Sequence, residues 1–144
     1  MPEMTEETAI NGLKLYHEYL DQNPRDMGIV TMMNDLKNIM DSNTPAAEAL
    51  KEHMKDLDEE AHTQAMIELM MPIQASMGFY ARLVREQQDP AYYGDRVTPD
   101  MPEQVLMRWQ IDDGRYRVIF GDLSTATVTP DELADLEAIL PAVP

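Results

Sequence analysis

The chain of 144 residues contains no cysteine, which excludes disulfides, zinc–thiolate sites and a cysteine nucleophile. Long apolar runs are also missing. The longest one, residues 65–77, is interrupted by a glutamate, a proline and a glutamine, whereas a membrane span needs about 20 apolar residues. The amino-terminal residues carry neither the basic nor the apolar region of a secretory signal. The sequence therefore predicts a soluble protein located in the cytoplasm.

Basic residues are scarce. Eleven lysines and arginines stand against 27 aspartates and glutamates, so the formal net charge is -16. A magnitude of roughly 2–8 is enough to keep a small domain soluble. A net charge this negative produces an electrostatic field that repels nucleic acids and anionic membranes and attracts proteins with a basic surface. We therefore predict a protein partner with a basic surface, with no direct nucleic-acid binding and no membrane binding. The alternative is that the acidity serves solubility alone.

Apolar residues recur at helical spacing through the first 88 residues and predict about four helices. The first helix is expected to end near Asn23-Pro24, and the third to begin with Thr44 as N-cap and Pro45 as its first residue. Pro72 is expected either to kink the third helix or to start the fourth, which continues to about Gln88. The predicted buried faces of the first two helices hold Ala9, Leu13, Tyr16 and Leu20, and Ile29, Met33, Leu36 and Met40.

The clearest β signal lies in residues 104–121, where two β-prone runs flank Asp113-Gly114. This dipeptide favours a hairpin with a type I′ turn. The corresponding register pairs Asp112 with Arg115 and Trp109 with Val118. One face of the hairpin then collects the apolar side chains, including the only tryptophan, and is expected to cover the helices.

Together these elements predict a predominantly helical α+β fold in a single domain. Residues 1–88 form a helical bundle, 89–103 a loop rich in proline and tyrosine, 104–121 a β-hairpin packed on the bundle, and 122–144 a C-terminal capping helix. Thr129 to Glu132 form the capping box of that last helix. Two strands alone are only marginally stable, so the hairpin must pack on the helices or pair with another chain as a homodimer.

Two features are candidate partner-binding sites. The first is an acidic ridge predicted on one face of the third helix, where carboxylates would imitate a phosphate backbone; as an alternative it is only a solvated helix face. The second is a tyrosine pair in the long loop, because aromatic residues often anchor interfaces; as an alternative the pair fixes the loop to the core. The residues concerned are Glu48, Glu52, Asp56, Glu59, Glu60, Tyr92 and Tyr93.

No catalytic motif is present, neither a Gly-x-Ser-x-Gly elbow nor a glycine-rich phosphate loop. Glu59-x-x-His62 is half of a di-metal motif whose second half is absent from the sequence. We therefore predict no catalytic residue, no cofactor and no metal site. Thirteen methionines, among them Met32-Met33, Met70-Met71 and Met77, either fill the core or form an adaptable apolar surface.

The predicted function is that of a small acidic, non-enzymatic interaction protein that binds and regulates or inhibits a partner with a basic surface. Immunity proteins, antitoxins and phage inhibitors share this size and charge, which is an analogy and not a resemblance in sequence. The alternative is a ligand- or metal-binding domain or a small enzyme, with a pocket between the helices and the hairpin. Such a pocket would use Glu59, His62, Trp109, Tyr116 and Arg117. A structural or virion component is the third hypothesis.

Overall fold

The computed structural model describes residues 5–112 and 114–142. Helix accounts for 55% and strand for 15% of the described residues, which confirms the predominantly helical α+β class. The described elements are α1 (Glu6–Leu20), α2 (Ile29–Asp41), α3 (Pro45–Lys55), α4 (Glu59–Arg85), β1 (Ala91–Tyr92), β2 (Val105–Asp112), β3 (Arg115–Phe120), β4 (Thr125–Val128) and α5 (Pro130–Ala138).

Internal contacts divide the described residues into two compact units. The helical unit comprises residues 5–22 and 28–79, and contains α1, α2, α3 and most of α4. The sheet unit comprises residues 23–27, 80–112 and 114–142, and contains the end of α4, all four strands and α5. The predicted packing of the hairpin on the bundle stays a prediction.

Local sequence sets both ends of α1 and the start of α3. Thr5 and Thr8 form a reciprocal capping box at the start of α1, and Asp21 ends it in the left-handed conformation with a φ of 54°. Thr44 caps α3 by accepting the Ala47 N–H, with Pro45 at the first helical position, which confirms the predicted helix start. The Thr44 hydroxyl also donates to the Tyr19 carbonyl at 2.7 Å and so attaches the start of α3 to the end of α1.

Helix α2 buries a different face from the predicted one. Its buried residues are Met32, Leu36 and Ile39, whereas the exposed fraction is 67% for Ile29 and 50% for Met33. The Tyr16 hydroxyl on α1 donates to Asp35 Oδ2 at 2.9 Å. This hydrogen bond turns Asp35 toward α1, so the face centred on Leu36 and including Met32 packs inward. Apolar residues lie on more than one face of α2, so their spacing alone did not determine which face would be buried.

The predicted third helix is interrupted before Glu59. Helix α3 has its C-cap at Asp56, and Asp58 accepts the Ala61 N–H at 2.8 Å at the start of α4. Aspartate followed by two glutamates is a helix-start pattern, which explains the break. Pro72 lies inside α4, which runs without interruption past it, so the prediction of a new helix at this proline is wrong.

Helices α1 and α4 make a very close contact at Gly12. A Cβ atom added to Gly12 would lie 2.0 Å from Ser76 Oγ and 2.2 Å from the Pro72 carbonyl oxygen. The Ser76 hydroxyl donates to the Ala9 carbonyl at 2.5 Å, which satisfies a buried polar group at the same contact. Only glycine allows the two backbones to approach this closely.

The sheet is antiparallel throughout in the order β1-β2-β3-β4. The predicted hairpin is present as β2 and β3, while β1 and β4 were not predicted. Both are short, and β1 has only two residues inside a segment predicted as loop. The predicted type I′ turn involves Asp113, which lies outside the described residues.

The register of the hairpin is correct next to the turn and wrong beyond it. Asp112 pairs with Arg115 as predicted, but Trp109 pairs with Arg117 and not with Val118. The pairing shifts by one residue between Gln110 and Asp112, because β2 carries an extra residue, a β-bulge, at this point. A shift by one residue moves side chains of one strand to the opposite face, so the predicted apolar face was assigned incorrectly.

Both faces of the sheet bury apolar side chains. On one face, α5 packs its Leu133 against Val105, Val118 and Val128. On the other, Met107, Trp109 and Ile119 are buried. The predicted capping box at Thr129 is confirmed at the start of α5.

Replacing Gly12 by alanine tests the close contact. We expect Gly12→Ala to lower the free energy of unfolding by about 1–3 kcal/mol, because the added methyl group overlaps backbone and not only a mobile side chain. Urea denaturation followed by circular dichroism measures the change. Gly28→Ser is the control, since Gly28 is the exposed N-cap of α2 with a φ of -94°, where serine is favoured. Equal stability of the two variants would contradict the close contact.

Candidate interaction surface

A cluster of carboxylates lies where α3 ends and α4 begins. It comprises Glu52, Asp56, Asp58, Glu59 and Glu60, all of them exposed, and we call it the acidic corner. The predicted ridge on a single helix is therefore wrong in its geometry, because the chain breaks between Asp56 and Glu59. Glu48 lies one turn before the corner and pairs with Lys51 at 3.0 Å.

Three members of the corner contribute to folding. Asp58 caps α4 through the Ala61 N–H. Glu59 and Glu60 occupy the first turn of α4, where negative charge interacts favourably with the positive end of the helix dipole. Together with Thr63 and Gln64 they line a surface depression of about 590 Å³.

Glu52 and Asp56 have no comparable folding role. Glu52 lies in the last turn of α3 and Asp56 is its C-cap, where the helix dipole disfavours negative charge. Within the part of the chain that the structure describes, neither carboxylate belongs to an ion pair. These two acids raise the negative potential of the corner at some expense to helix stability.

Tyr92 and Tyr93 are both held within the sheet unit. The Tyr92 hydroxyl donates to the Pro24 carbonyl at 2.5 Å, and its ring meets Tyr80 edge to face at 6.2 Å between centroids. The Tyr93 hydroxyl donates to Glu137, and the Arg96 guanidinium lies over its ring. These contacts favour the interpretation that the tyrosines fix the loop, and a role in partner binding stays a prediction.

Arg108 is the centre of a polar network in the sheet unit. Its Nε donates to Glu137 Oε2 at 3.1 Å, and its Nη1 lies 3.2 Å from Asp89 Oδ2. Its guanidinium also lies 5.6 Å from the ring centroid of Tyr116, whose hydroxyl donates to Asp89 at 2.9 Å. The network links β2 to α5 and to the residues after α4. Every charged group in it has a partner, which is typical of a structural network.

The environment shifts the acid–base equilibria of this network. Burial raises the pKa of Tyr93, and its hydrogen bond to Glu137 raises it further. The hydrogen bond to Asp89 raises the pKa of Tyr116. Burial lowers the pKa of Arg108, but the hydrogen bond to Glu137 and the charges of Glu137, Asp89 and Tyr93 together outweigh it, so the net direction is upward. The cationic arginine and neutral phenols are therefore the stable forms.

The residues of the alternative pocket hypothesis are divided between the units. Glu59 and His62 are exposed near the start of α4, while Trp109, Tyr116 and Arg117 lie in the sheet. Among the described residues, no group of three or more histidine, aspartate or glutamate side chains is arranged to hold a metal ion. The pocket hypothesis stays a prediction.

A groove between α1 and α4 was not predicted. It has a volume of about 330 Å³, and most of the surface that lines it is apolar. The lining residues are Thr8, Asn11, Glu68, Met71, Pro72 and Ala75. Met71 is partly exposed here, whereas Met32 and Met77 are buried, so the methionines divide between surface and core. Gly12 and Pro72 are the sequence signals that could have indicated it, since together they allow a close helix crossing.

No protein-family model matches the chain, and no curated protein or solved structure is significantly similar to it. Among the described helices, none combines the length and apolar character needed to cross a membrane.

Two arginine–carboxylate pairs on the sheet provide a matched test of the network. The side chain of Arg108 is 15% exposed and that of Arg115 is 60% exposed. We expect Arg108→Gln to lower the free energy of unfolding by about 1.5–3 kcal/mol, because it breaks charged hydrogen bonds and leaves Glu137 without its cation. Arg115→Gln should leave stability unchanged, because the exposed Asp112 carboxylate can bind water in place of the arginine. Equal effects in chemical denaturation would contradict a structural role for Arg108.

The raised pKa values of Tyr93 and Tyr116 predict a loss of stability at alkaline pH. The protonated phenols are favoured in the folded state, so their contribution is complete below the unfolded-state pKa of about 10 and is lost as pH rises above it. We expect the free energy of unfolding to fall above pH 10, less steeply in Tyr93→Phe than in the wild type. Denaturation at a series of pH values, with tyrosinate absorbance recorded, measures this. Identical slopes would contradict the role of Tyr93.

Proposed function

We propose that this protein is a small acidic interaction protein that binds a basic surface on a partner protein and thereby regulates or inhibits that partner. The acidic corner is the proposed contact. The observation that carries the proposal is the position of Glu52 and Asp56, which are exposed, have no ion-pair partner within the described residues and lie at the helix end where negative charge is disfavoured. Binding a cationic surface gives these side chains a role that folding does not.

Electrostatics make the corner suitable for this role. The five carboxylates of the corner are exposed at the junction of two helices, and the net charge of -16 adds a long-range attraction for cationic surfaces. Charge complementarity of this kind increases the association rate and selects among partners. Occupying a basic surface excludes the anionic ligand that this surface normally binds, which is how such a contact would inhibit the partner.

The corner is also a compact site and not a continuous line of charge. Its carboxylates are divided between the end of α3 and the start of α4, next to the depression lined by Thr63 and Gln64. A lysine or arginine entering this depression would meet hydroxyl and amide groups as well as carboxylates. This arrangement favours recognition of a protein surface over general imitation of a phosphate backbone.

Neutralising the corner tests the proposal. The corner variant carries Glu52→Gln, Asp56→Asn, Glu59→Gln and Glu60→Gln. Exposed ion pairs contribute about 0.2–1 kcal/mol each, so we expect the loss of four to weaken the binding of a basic partner by about fourfold or more. The measurement is affinity capture from lysate, with retained proteins quantified by mass spectrometry at low salt and above the roughly 0.15 M physiological ionic strength.

The control variant removes the same number of charges elsewhere. It carries exposed acids neutralised in the same way, namely Glu18→Gln, Asp41→Asn, Glu103→Gln and Asp135→Asn. A basic partner that binds the corner is retained by the wild type and this control, lost from the corner variant, and released by salt. Equal retention by both variants would show that only net charge matters and would overturn the corner as the contact.

A further inference from the structure

The α1–α4 groove combines an apolar floor with a carboxylate. Met71, Pro72 and Ala75 supply the apolar surface, while Thr8 and Asn11 from α1 form part of the opposite wall. The lining carboxylate belongs to Glu68, whose Oε1 accepts a hydrogen bond from Gln64 Nε2 at 3.3 Å. In the described chain this carboxylate belongs to no ion pair, so its hydrogen-bond donor is neutral and a cation can still be added.

Pro72 adds a second acceptor at the same place. In an α-helix the carbonyl of residue 68 accepts the N–H of residue 72, but proline has no N–H to donate. The Glu68 carbonyl therefore lacks its usual helical donor, and the carboxylate of the same residue has no ion-pair partner among the described residues. A lysine ammonium or an arginine guanidinium carries several donors and can satisfy both kinds of acceptor.

The volume of the groove limits what can enter it. About 330 Å³ lies at the low end of the range for small-molecule pockets and suits one large apolar side chain better than an extended ligand. A helix that inserts a single leucine or phenylalanine can place a basic residue one turn away, at a spacing of three or four positions.

We propose that the α1–α4 groove receives one large apolar side chain of a cationic amphipathic helix, with a lysine or arginine of the same helix bound to Glu68. The inference rests on the proposed function for the basic character of the partner, and it adds the form of the partner: a helix with apolar and basic residues on one face. The groove supplies the apolar contact that the acidic corner lacks.

Methionine methyl NMR locates the binding site directly. The probe is a synthetic amphipathic helix of leucine and lysine, titrated into protein labelled at the methionine methyl groups. We expect the signal of Met71 to shift, while that of buried Met32 stays in place. Met33 on the exposed face of α2 is the competing site, since it is 50% exposed. A shift of Met33 without Met71 would overturn the proposal.

Two equally exposed residues of α4 provide matched variants. Met71 is 39% exposed and lines the groove, whereas Ile67 is 40% exposed and lies outside the lining. We expect Met71→Lys to weaken peptide binding by about tenfold or more, equivalent to 1.4 kcal/mol, and Ile67→Lys to weaken it by less than about threefold. Both changes add the same charge on the same helix, so equal effects would overturn the groove as the site. Fluorescence anisotropy of the labelled peptide gives the affinities, and circular dichroism verifies folding.

The carboxylate and the corner are tested separately. Glu68→Gln should weaken binding more than Glu103→Gln, an equal loss of charge in the sheet unit; equal effects would overturn the pairing with Glu68.

A second peptide, in which serine replaces leucine, should leave the Met71 signal unmoved, and a shift would contradict the apolar contact. If the corner variant weakens both peptides while Met71→Lys weakens neither, the groove inference fails and the proposed function stands. The reverse result rejects the corner and retains the groove.

Discussion

The contact between α1 and α4 at Gly12 is the constraint on which the helical unit depends. Its backbones approach so closely that a single methyl group would overlap Pro72 and Ser76. The buried Ser76 hydroxyl has a hydrogen-bond partner at this contact, because it donates to the Ala9 carbonyl of α1. Pro72 lies at this contact and also lines the α1–α4 groove, so the groove lies directly beside the helix crossing. Packing and the proposed binding site therefore share one cause, a glycine opposite a proline-containing helix.

Charge is used differently in the two units. In the sheet unit, Arg108 holds two carboxylates and Arg115 holds one, so basic residues neutralise acids that the fold brings together. In the helical unit, the acidic corner collects carboxylates that stabilise α4 at one end and oppose the dipole of α3 at the other. Pairing with arginine accounts for Asp89, Asp112 and Glu137 in the sheet unit. Among the described residues Glu52 and Asp56 have no such cationic partner, which is why the proposed contact is placed there.

Sequence reasoning predicted features that depend on neighbouring residues and missed those that depend on distant ones. Thr44-Pro45 and Thr129-Pro130 marked helix starts correctly, because a cap is a local interaction. The turn-proximal pairing of Asp112 with Arg115 was correct, but the β-bulge beyond it changes which side chains of the two strands share a face. The buried face of α2 likewise depends on Tyr16, which lies on another helix. For the candidate acidic site, the division of its residues between two helices was not predicted, because it depends on the Asp58 cap that starts α4, and the role of these residues in partner binding stays a prediction. The groove arises where two helices cross, which residue spacing within one helix does not describe.

The partial exposure of Met71 has a chemical consequence. Because the chain has no cysteine, all of its sulfur is in thioethers, and those at the surface react first with peroxide. Met33 and Met71 are therefore expected to form sulfoxides before Met32 or Met107, which are buried. At Met71 the product places a polar, chiral oxygen on the floor of an apolar recess. Preparations handled without reductant would then differ in that recess while keeping the same fold, and intact mass measurement would distinguish them by the added oxygen.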